Sequence, residues 1–286
     1  MIRVALIGLG RMGRRWWPHL LASRRFALVG VVDPVAPDAT HREVGALSFD
    51  AAIVAAPTPS HYELSAGLLR RGCHVLVEKP VAATYAEAGA LCALSAGLRA
   101  RLVVGHVERF NPAARAFLEA VRSGIVGAPE HVGAIRTGPR PDPVAPGNSA
   151  ALDLAVHDLD LLRLAVGDLE VEASTGNRDR VAALLASRDG VQATVTAAWG
   201  WTLKQRRLWC MGERGTVRAD LLARTCRLDG RPLHVPQGDA LAAQLDALAD
   251  LIETGDEGAL CSAEDGAEAV RLVEAATAIG AARRAA

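Results

Sequence analysis

The chain has 286 residues, half of them hydrophobic, enough for one large or two ordinary domains with a sizeable core. Its 32 basic side chains equal its 32 acidic ones, so no net charge draws it to nucleic acid or to an anionic membrane, and neither partner is expected. The opening "MIRVALIGLG" is too short for a signal-peptide core, no later run approaches a membrane span, and Cys73, Cys92, Cys210, Cys226 and Cys261 lack the paired spacing of zinc sites or disulfide frameworks; we read a cytoplasmic protein with reduced, structural thiols.

In chain order, the first third alternates short β-branched runs with helical stretches: "RVALIG", a helix from about Arg11, "ALVGVVD", "AAIVAAP", a helix from about His61, "HVLVEK", a helix from about Tyr85, and "RLVVGH". That alternation implies a parallel sheet with crossover helices. The character then changes. A helix at about Pro112 to Ser123 leads into "EHVGAIRTG", a loop rich in proline and glycine, "GPRPDPVAPGNS", and a helix at about Ala151 to Val166. The runs "VAALLAS", "VQATVTAAW", "RRLWCMG" and "GTVRADL" follow with turns between them, which suggests a largely antiparallel sheet, and helices at about Asp239 to Thr254 and Ala263 to Arg284 close the chain.

The first turn carries "GLGRMG", with Gly8, Gly10 and Gly13 in G-x-G-x-x-G spacing after a strand and at the start of a helix. Gly8 permits the tight turn, Gly10 lets a pyrophosphate approach the backbone, and Gly13 lets the helix pack on the strand. The helix start, at Arg11 and Met12, offers amide donors and a partial positive charge to that pyrophosphate. Asp33, twenty residues beyond Gly13 at the end of the next apolar run, would accept hydrogen bonds from a ribose diol and repel a 2′-phosphate, favouring NAD over NADP. Pro18 falls where the helix should continue and ought to bend it.

Two further strands end on polar residues at the carboxyl edge, where open α/β sheets bind ligands. In "APTPSH", Thr58 and His61 either touch the cofactor or belong to a turn with Ser60 capping the next helix. In "HVLVEKPVA" the run Val75 to Val77 reads as a strand buried on both faces, yet it stops on Glu78 and Lys79 before Pro80 removes a backbone donor. In "GHVERFNPA", Asn111 and Pro112 suit a helix cap and first position, whereas His106, Glu108 and Arg109 are candidates for substrate contact where one domain gives way to the next. Asp153 and His157 are four apart in a helical stretch, with Asp160 three further on, so a carboxylate can orient the imidazole and stabilise its charged form. Aspartate and histidine are also ligands for zinc or manganese, but no further ligand cluster accompanies them and no metal is expected.

With "GLGRMG", "EKP", "GHVERFNPA" and "LDLAVHDLDLL" in that order over the first 162 residues, the chain resembles the glucose-fructose oxidoreductase, inositol dehydrogenase and rhizopine catabolism protein family. The resemblance implies an α/β protein with an N-terminal, doubly wound Rossmann domain, and a C-terminal α+β domain with an open, mostly antiparallel sheet. We place these at 1–108 and 109–286, the second serving substrate binding and oligomerisation. It further implies that Lys79 lies beside the nicotinamide with Glu78 balancing its charge, that the Lys79–Pro80 peptide is cis, and that Asp153 and His157 complete the catalytic group. The segment 34–52 departs from the family, being shorter than one holding a helix, a strand and another helix, and that departure falls at the adenosine end of the pocket. The version of the motif at 105–113 looks most like members that oxidise UDP-linked N-acetylated amino sugars. The reading is therefore an NAD-dependent dehydrogenase of a sugar, with an inositol or free-sugar dehydrogenase as one alternative and a non-catalytic NAD-binding regulatory protein as another. Intact Lys79, Asp153 and His157 argue against the last, since binding alone needs none of them. Homodimers or homotetramers are implied too, and Trp199 and Trp201 around Gly200 serve either that interface or the core.

Overall fold

The computed structural model describes residues 1–45, 47–142, 144 and 147–285. In chain order the elements are β1 (Ile2–Ile7), α1 (Arg11–Ala22), β2 (Phe26–Val32), β3 (Ala51–Val54), α2 (His61–Arg70), β4 (His74–Glu78), α3 (Tyr85–Ala96) and β5 (Leu102–Gly105). There follow α4 (Pro112–Arg122), β6 (Pro129–Gly138), a π-helical turn Ala151–Ala155 that runs into α5 (Val156–Val166), and β7 (Leu169–Asn177). Then come β8 (Arg180–Ser187), β9 (Gln192–Trp199), β10 (Gln205–Gly212), β11 (Gly215–Asp220), β12 (Thr225–Leu228) and β13 (Arg231–Pro232). The chain closes with α6 (Ala240–Thr254), β14 (Cys261–Ser262) and α7 (Ala263–Ala285). No helix among the described residues is long and apolar enough to cross a membrane.

The chain divides into two compact units, 1–107 with 241–267, and 108–240 with 268–286. The first holds a sheet of order β14-β5-β4-β3-β1-β2, parallel throughout except for β14. Its central strands are apolar without alternation, and Val4–Leu6, Ala51–Val54 and Val75–Val77 are wholly buried, as expected where both faces of a parallel sheet are covered. The expected division at 108 therefore needs correction at its C-terminal end. Cys261 and Ser262 add an antiparallel edge to β5, and Arg25 reaches Asp250 and Glu253 of α6 at 2.7 and 2.5 Å. Pro18 lies inside α1, which continues through it to Ala22.

Among the described residues, the short segment after β2 contains no helix. Asp33 Oδ1 accepts from the amides of Val35 and Ala36, the Thr40 side chain pairs with both backbone groups of Val31, and Arg14 holds Asp38 at 2.6 Å. Position 46 of this segment lies outside the described residues.

The second unit holds a sheet of order β13-β12-β11-β10-β6-β9-β8-β7, in which every described pair is antiparallel except β6 with β9. One face, carrying Val132, Ala134, Val195, Leu208 and Val217, shares a core with Phe117 of α4, Leu161 of α5 and Val273 of α7. Asn111 caps α4 by accepting from the Ala113 amide, with Pro112 first in the helix, as expected. In the loop read at 138–149, positions 143, 145 and 146 lie outside the described residues.

Candidate active site

The parallel register of the first unit aligns its strand ends: Ile7 pairs with Val32 and Val54, Val54 with Val77, and Glu78 with Gly105. Gly8, Asp33, Lys79 and His106 each stand one residue past such an end, along the carboxyl edge of one sheet. The glycines differ in what they permit. Gly8 has φ +93°, and a Cβ there would lie 2.5 Å from the Ala56 nitrogen. A Cβ at Gly13 would lie 2.0 Å from the Gly8 carbonyl oxygen, so helix and loop touch only because it is absent. At Gly10 a Cβ would meet nothing within 4 Å, which leaves room in front of the helix start. Gly10 caps α1 without a side-chain hydrogen bond and no acid occupies the first turn, so no carboxylate of that turn competes for the amides of Arg11, Met12 and Gly13.

Asp33 is fixed by its own backbone neighbours. Its Oδ2 accepts from the Leu9 amide at 2.7 Å, which ties the end of β2 to the glycine loop. Burial works against its charge, but the amides of Leu9, Ala36 and Val35 prevail and hold the carboxyl below the usual range. Open space at Gly10, donors at the helix start and an ionised carboxylate at the second strand fit a dinucleotide.

Lys79 leaves β4 through a cis Lys79–Pro80 peptide, as the resemblance implied, and its side chain is half-buried. His61 sits differently from expectation. It is 1% exposed, with Nδ1 2.7 Å from the Pro80 carbonyl and Nε2 2.9 Å from the Ala56 carbonyl. Burial holds its pKa down, so the neutral ring donates to one of the two oxygens, and it braces the Pro80 turn instead of reaching outward to a cofactor. Ser60 makes no side-chain capping bond either, whereas Thr58 stays half-exposed at the edge.

Glu78 is 5% exposed and accepts from the indole N–H of Trp16, itself wholly buried in α1, at 2.8 Å. Gly105 makes the room: a Cβ there would stand 3.2 Å from the Glu78 carboxyl. The helix that starts at the glycine loop is thereby tied to the residue beside Lys79. Burial raises the Glu78 carboxyl above its ordinary range, with Trp16 and Lys79 opposing. An acid raised in this way gives its full share of stability below its unfolded pKa and loses it as pH rises through the folded one. Glu78→Gln keeps the acceptor for Trp16 but buries no charge, so it should melt above wild type at pH 8, with the gap closing towards pH 4. Melting curves that stay parallel over that range would show that the buried charge costs nothing.

In the second unit, Asp153 lies in the π turn and His157 in the first turn of α5, 9% exposed. Such turns recur where a helix must redirect side chains at functional positions. Trp199, at the end of β9, donates its indole N–H to Asp153 Oδ2 at 3.2 Å and is 4% exposed, which favours the core reading for it; Trp201 is 44% exposed.

Glu108 and Arg109 depart from their expected contact with substrate, because both are turned inward. Glu108 Oε1 accepts from Arg136 at 2.9 Å and Arg206 at 2.8 Å, and Oε2 accepts from Asn111 at 2.9 Å. Arg109 grips Asp160 through Nε at 2.8 Å and a terminal nitrogen at 2.5 Å. His106, the residue after β5, is 1% exposed. Arg136, Asp158, Arg206 and Trp16 belong to the frame of these two groups and were not singled out from the sequence, and Trp199 reads there only as an interface or core residue. One signal existed for Arg136: alternation in "EHVGAIRTG" sets it on the same face as Val132 and Ala134, where a charge requires a partner.

Residues 2–106 match the oxidoreductase family with an NAD-binding Rossmann fold, and residues 114–218 match the GFO/IDH/MocA C-terminal domain. The chain belongs to the GFO/IDH/MocA oxidoreductase family. Among relatives, inositol 2-dehydrogenase of Rhizobium meliloti is 26% identical over 96% of both chains. UDP-N-acetylglucosamine 3-dehydrogenase of Acidithiobacillus ferrooxidans is 28% identical over 69% of this chain and 67% of its own. The solved structure of the latter enzyme superposes with a TM-score of 0.84 at 24% identity, covering 98% of each chain, which speaks for the fold. As a GFO/IDH/MocA protein the chain is an NAD(P)-binding oxidoreductase acting on CH–OH groups.

Proposed function

We propose that this enzyme is an NAD-dependent dehydrogenase of a pyranose, with a nucleotide-linked N-acetylated amino sugar as its substrate class. The observation that supports a catalytic role is that Lys79 stands one residue past β4 on the same carboxyl edge as the glycine loop, with its neighbour Glu78 anchored by Trp16 of the helix that starts there. The nicotinamide, when bound, exchanges hydride with a ring carbon. Lys79 Nζ donates to the substrate hydroxyl and stabilises negative charge developing on its oxygen. His157 takes the hydroxyl proton, and Asp153, held by Trp199, orients the imidazole. Histidine suits the task because its ordinary pKa lies near neutrality.

The sugar class rests on the motif at 105–113 and on the likeness to UDP-N-acetylglucosamine 3-dehydrogenase. The match to an inositol dehydrogenase over nearly all of both chains favours a second reading, oxidation of a cyclitol. A turnover screen with UDP-N-acetylglucosamine, related UDP-sugars, myo-inositol and free aldoses separates them. Activity on inositol alone would replace the first reading with the second, and turnover of none would remove both.

NAD is the proposed cofactor because Asp33 presents an ionised carboxylate at the end of β2. Asp33→Ser should weaken NAD and improve NADP relative to it by about one to two powers of ten in the ratio of kcat/KM, the scale of a charged hydrogen bond. An unchanged ratio would exclude Asp33 as the discriminator. For assembly we propose a homodimer or homotetramer through the open sheet face, where Leu184 and Met211 are exposed and Ile135, Thr196 and Trp209 half-buried.

A further inference from the structure

Six buried or half-buried charges gather round one turn of α5: Glu108 and Arg109 from the turn after 107, Arg136 from β6, Arg206 from β10, and Asp158 and Asp160 from α5 itself. They balance, three of each sign. Arg136 and Arg206 stand directly opposite each other on neighbouring strands, where like charges repel, and Glu108 Oε1 accepts from both. Arg136 then meets Asp158 with three N–H···O contacts of 2.7 to 3.0 Å. Burial raises the Asp158 carboxyl even against the pull of Arg136; the guanidinium itself cannot be discharged, and with both oxygens gripped we take the pair as ionised.

Stability alone does not account for such a cluster, because buried ion pairs are often matched or bettered by apolar residues of the same volume. What hydrophobic packing lacks is direction. A guanidinium that grips a carboxylate with two nitrogens fixes an angle as well as a distance. On α5, Asp158 lies about 100° to one side of His157 and Asp160 about 60° to the other. The His157 face is thus bracketed by two such grips, one from β6 and one from the turn at 108–109.

We propose that the Arg136–Asp158 and Arg109–Asp160 clamps set the rotation of α5 and thereby aim His157, which makes Arg109 and Arg136 positioning residues. This rests on the reading of His157 as proton acceptor. The preceding π turn sharpens the need, since its i→i+5 pairing interrupts the regular phase by which the chain before it would otherwise fix the helix.

The test removes one clamp without burying a lone charge. Arg109→Met/Asp160→Leu deletes both partners together and should unfold within a few degrees of wild type. Arg109→Lys keeps the charge and loses the two-pronged geometry. In each, the ring resonance of His157, assigned by its absence from His157→Ala, is followed through a pH titration of the substrate-free protein by NMR. Its midpoint should move and its line shape change in both variants. With a turned-over sugar, kcat should fall about tenfold to a hundredfold in the double variant, the penalty of a small misplacement of a reacting group, while NADH affinity stays within a few-fold. Arg109→Lys should fall by a smaller factor. An unchanged His157 resonance in either folded variant overturns the proposal; should the double variant not fold, Arg109→Lys decides it alone. Failure of the wild type on every sugar would sink the functional reading, yet the resonance would still judge the clamps.

Discussion

His157→Ala should lose most turnover, by about two to four powers of ten, while binding NADH within a few-fold of wild type. The loss follows from the proposed chemistry: a proton must leave the hydroxyl as hydride leaves its carbon, and without a placed acceptor water must take it. Lys79→Met should lose turnover to a similar extent for a different reason, the loss of a cation at the oxygen where negative charge develops. The pH profile tells the two apart. A base must be deprotonated to act, so the rate rises with pH through its pKa and gives an acidic limb. That limb should vanish in His157→Ala and remain, lowered, in Lys79→Met. Persistence of the limb in His157→Ala would reassign the base to Lys79. NADH binding followed by fluorescence guards against a trivial cause, because the glycine loop, Asp33 and the Trp16–Glu78 link all lie in the first unit and His157 in the second. Normal turnover in both variants would refute the catalytic group as a whole.

How far the sequence foretold this site depended on how local each signal was. The glycine loop was legible because its parts act within a few residues of one another: the +93° of Gly8 and the contact of Gly13 with the Gly8 carbonyl are demands of one tight turn. Buried parallel strands were legible as unbroken apolar runs. The return of the chain to the first sheet was not, since a strand of two residues, Cys261 and Ser262, carries no pattern that can be told from a loop. Side-chain partners were illegible for a related reason. Trp16 finds Glu78 across 62 residues and Trp199 finds Asp153 across 46, distances at which nothing in either neighbourhood names the other. His61 shows the opposite error. Its place at a strand end suited a ligand contact, but an imidazole also serves to brace a turn by donating to a backbone carbonyl, and sequence position does not distinguish the uses. Glu108 and Arg109 looked functional because charged residues have little excuse in a core and these stand where one domain gives way to the next; they are buried all the same, and the reason lies in Arg136, Arg206 and Asp160, all brought in by the fold.

Arg136→Met should destabilise the protein by about 3–5 kcal/mol, the range for removing one partner of a buried ion pair. The methionine fills much of the space, so packing loss is minor and the cost comes from what remains. Glu108 keeps Arg206 and Asn111, but Asp158, 1% exposed, loses the guanidinium that neutralised it. The sign of the pH dependence follows. Burial already raises the Asp158 carboxyl above its ordinary range, and without Arg136 it rises further; an acid so raised loses its share of stability as pH climbs from the unfolded pKa through the folded one. Glu108 adds to the same trend from the wild-type side, since Arg136 and Arg206 outweigh its burial and hold it low, so the stability it lends the wild type is present above its unfolded pKa and disappears on acidification. The gap between wild type and Arg136→Met should therefore be small near pH 4 and widest above pH 7. Denaturant melts at several pH values, followed by the tryptophans of the second unit, measure it. Adding Asp158→Asn to Arg136→Met should recover part of the loss at pH 8 and little at pH 4, because only at the higher pH does the second substitution relieve a bare buried charge. A deficit under about 1 kcal/mol, or one that does not narrow in acid, would mean that water reaches Asp158 and that the cluster is not the closed, dry network its distances describe.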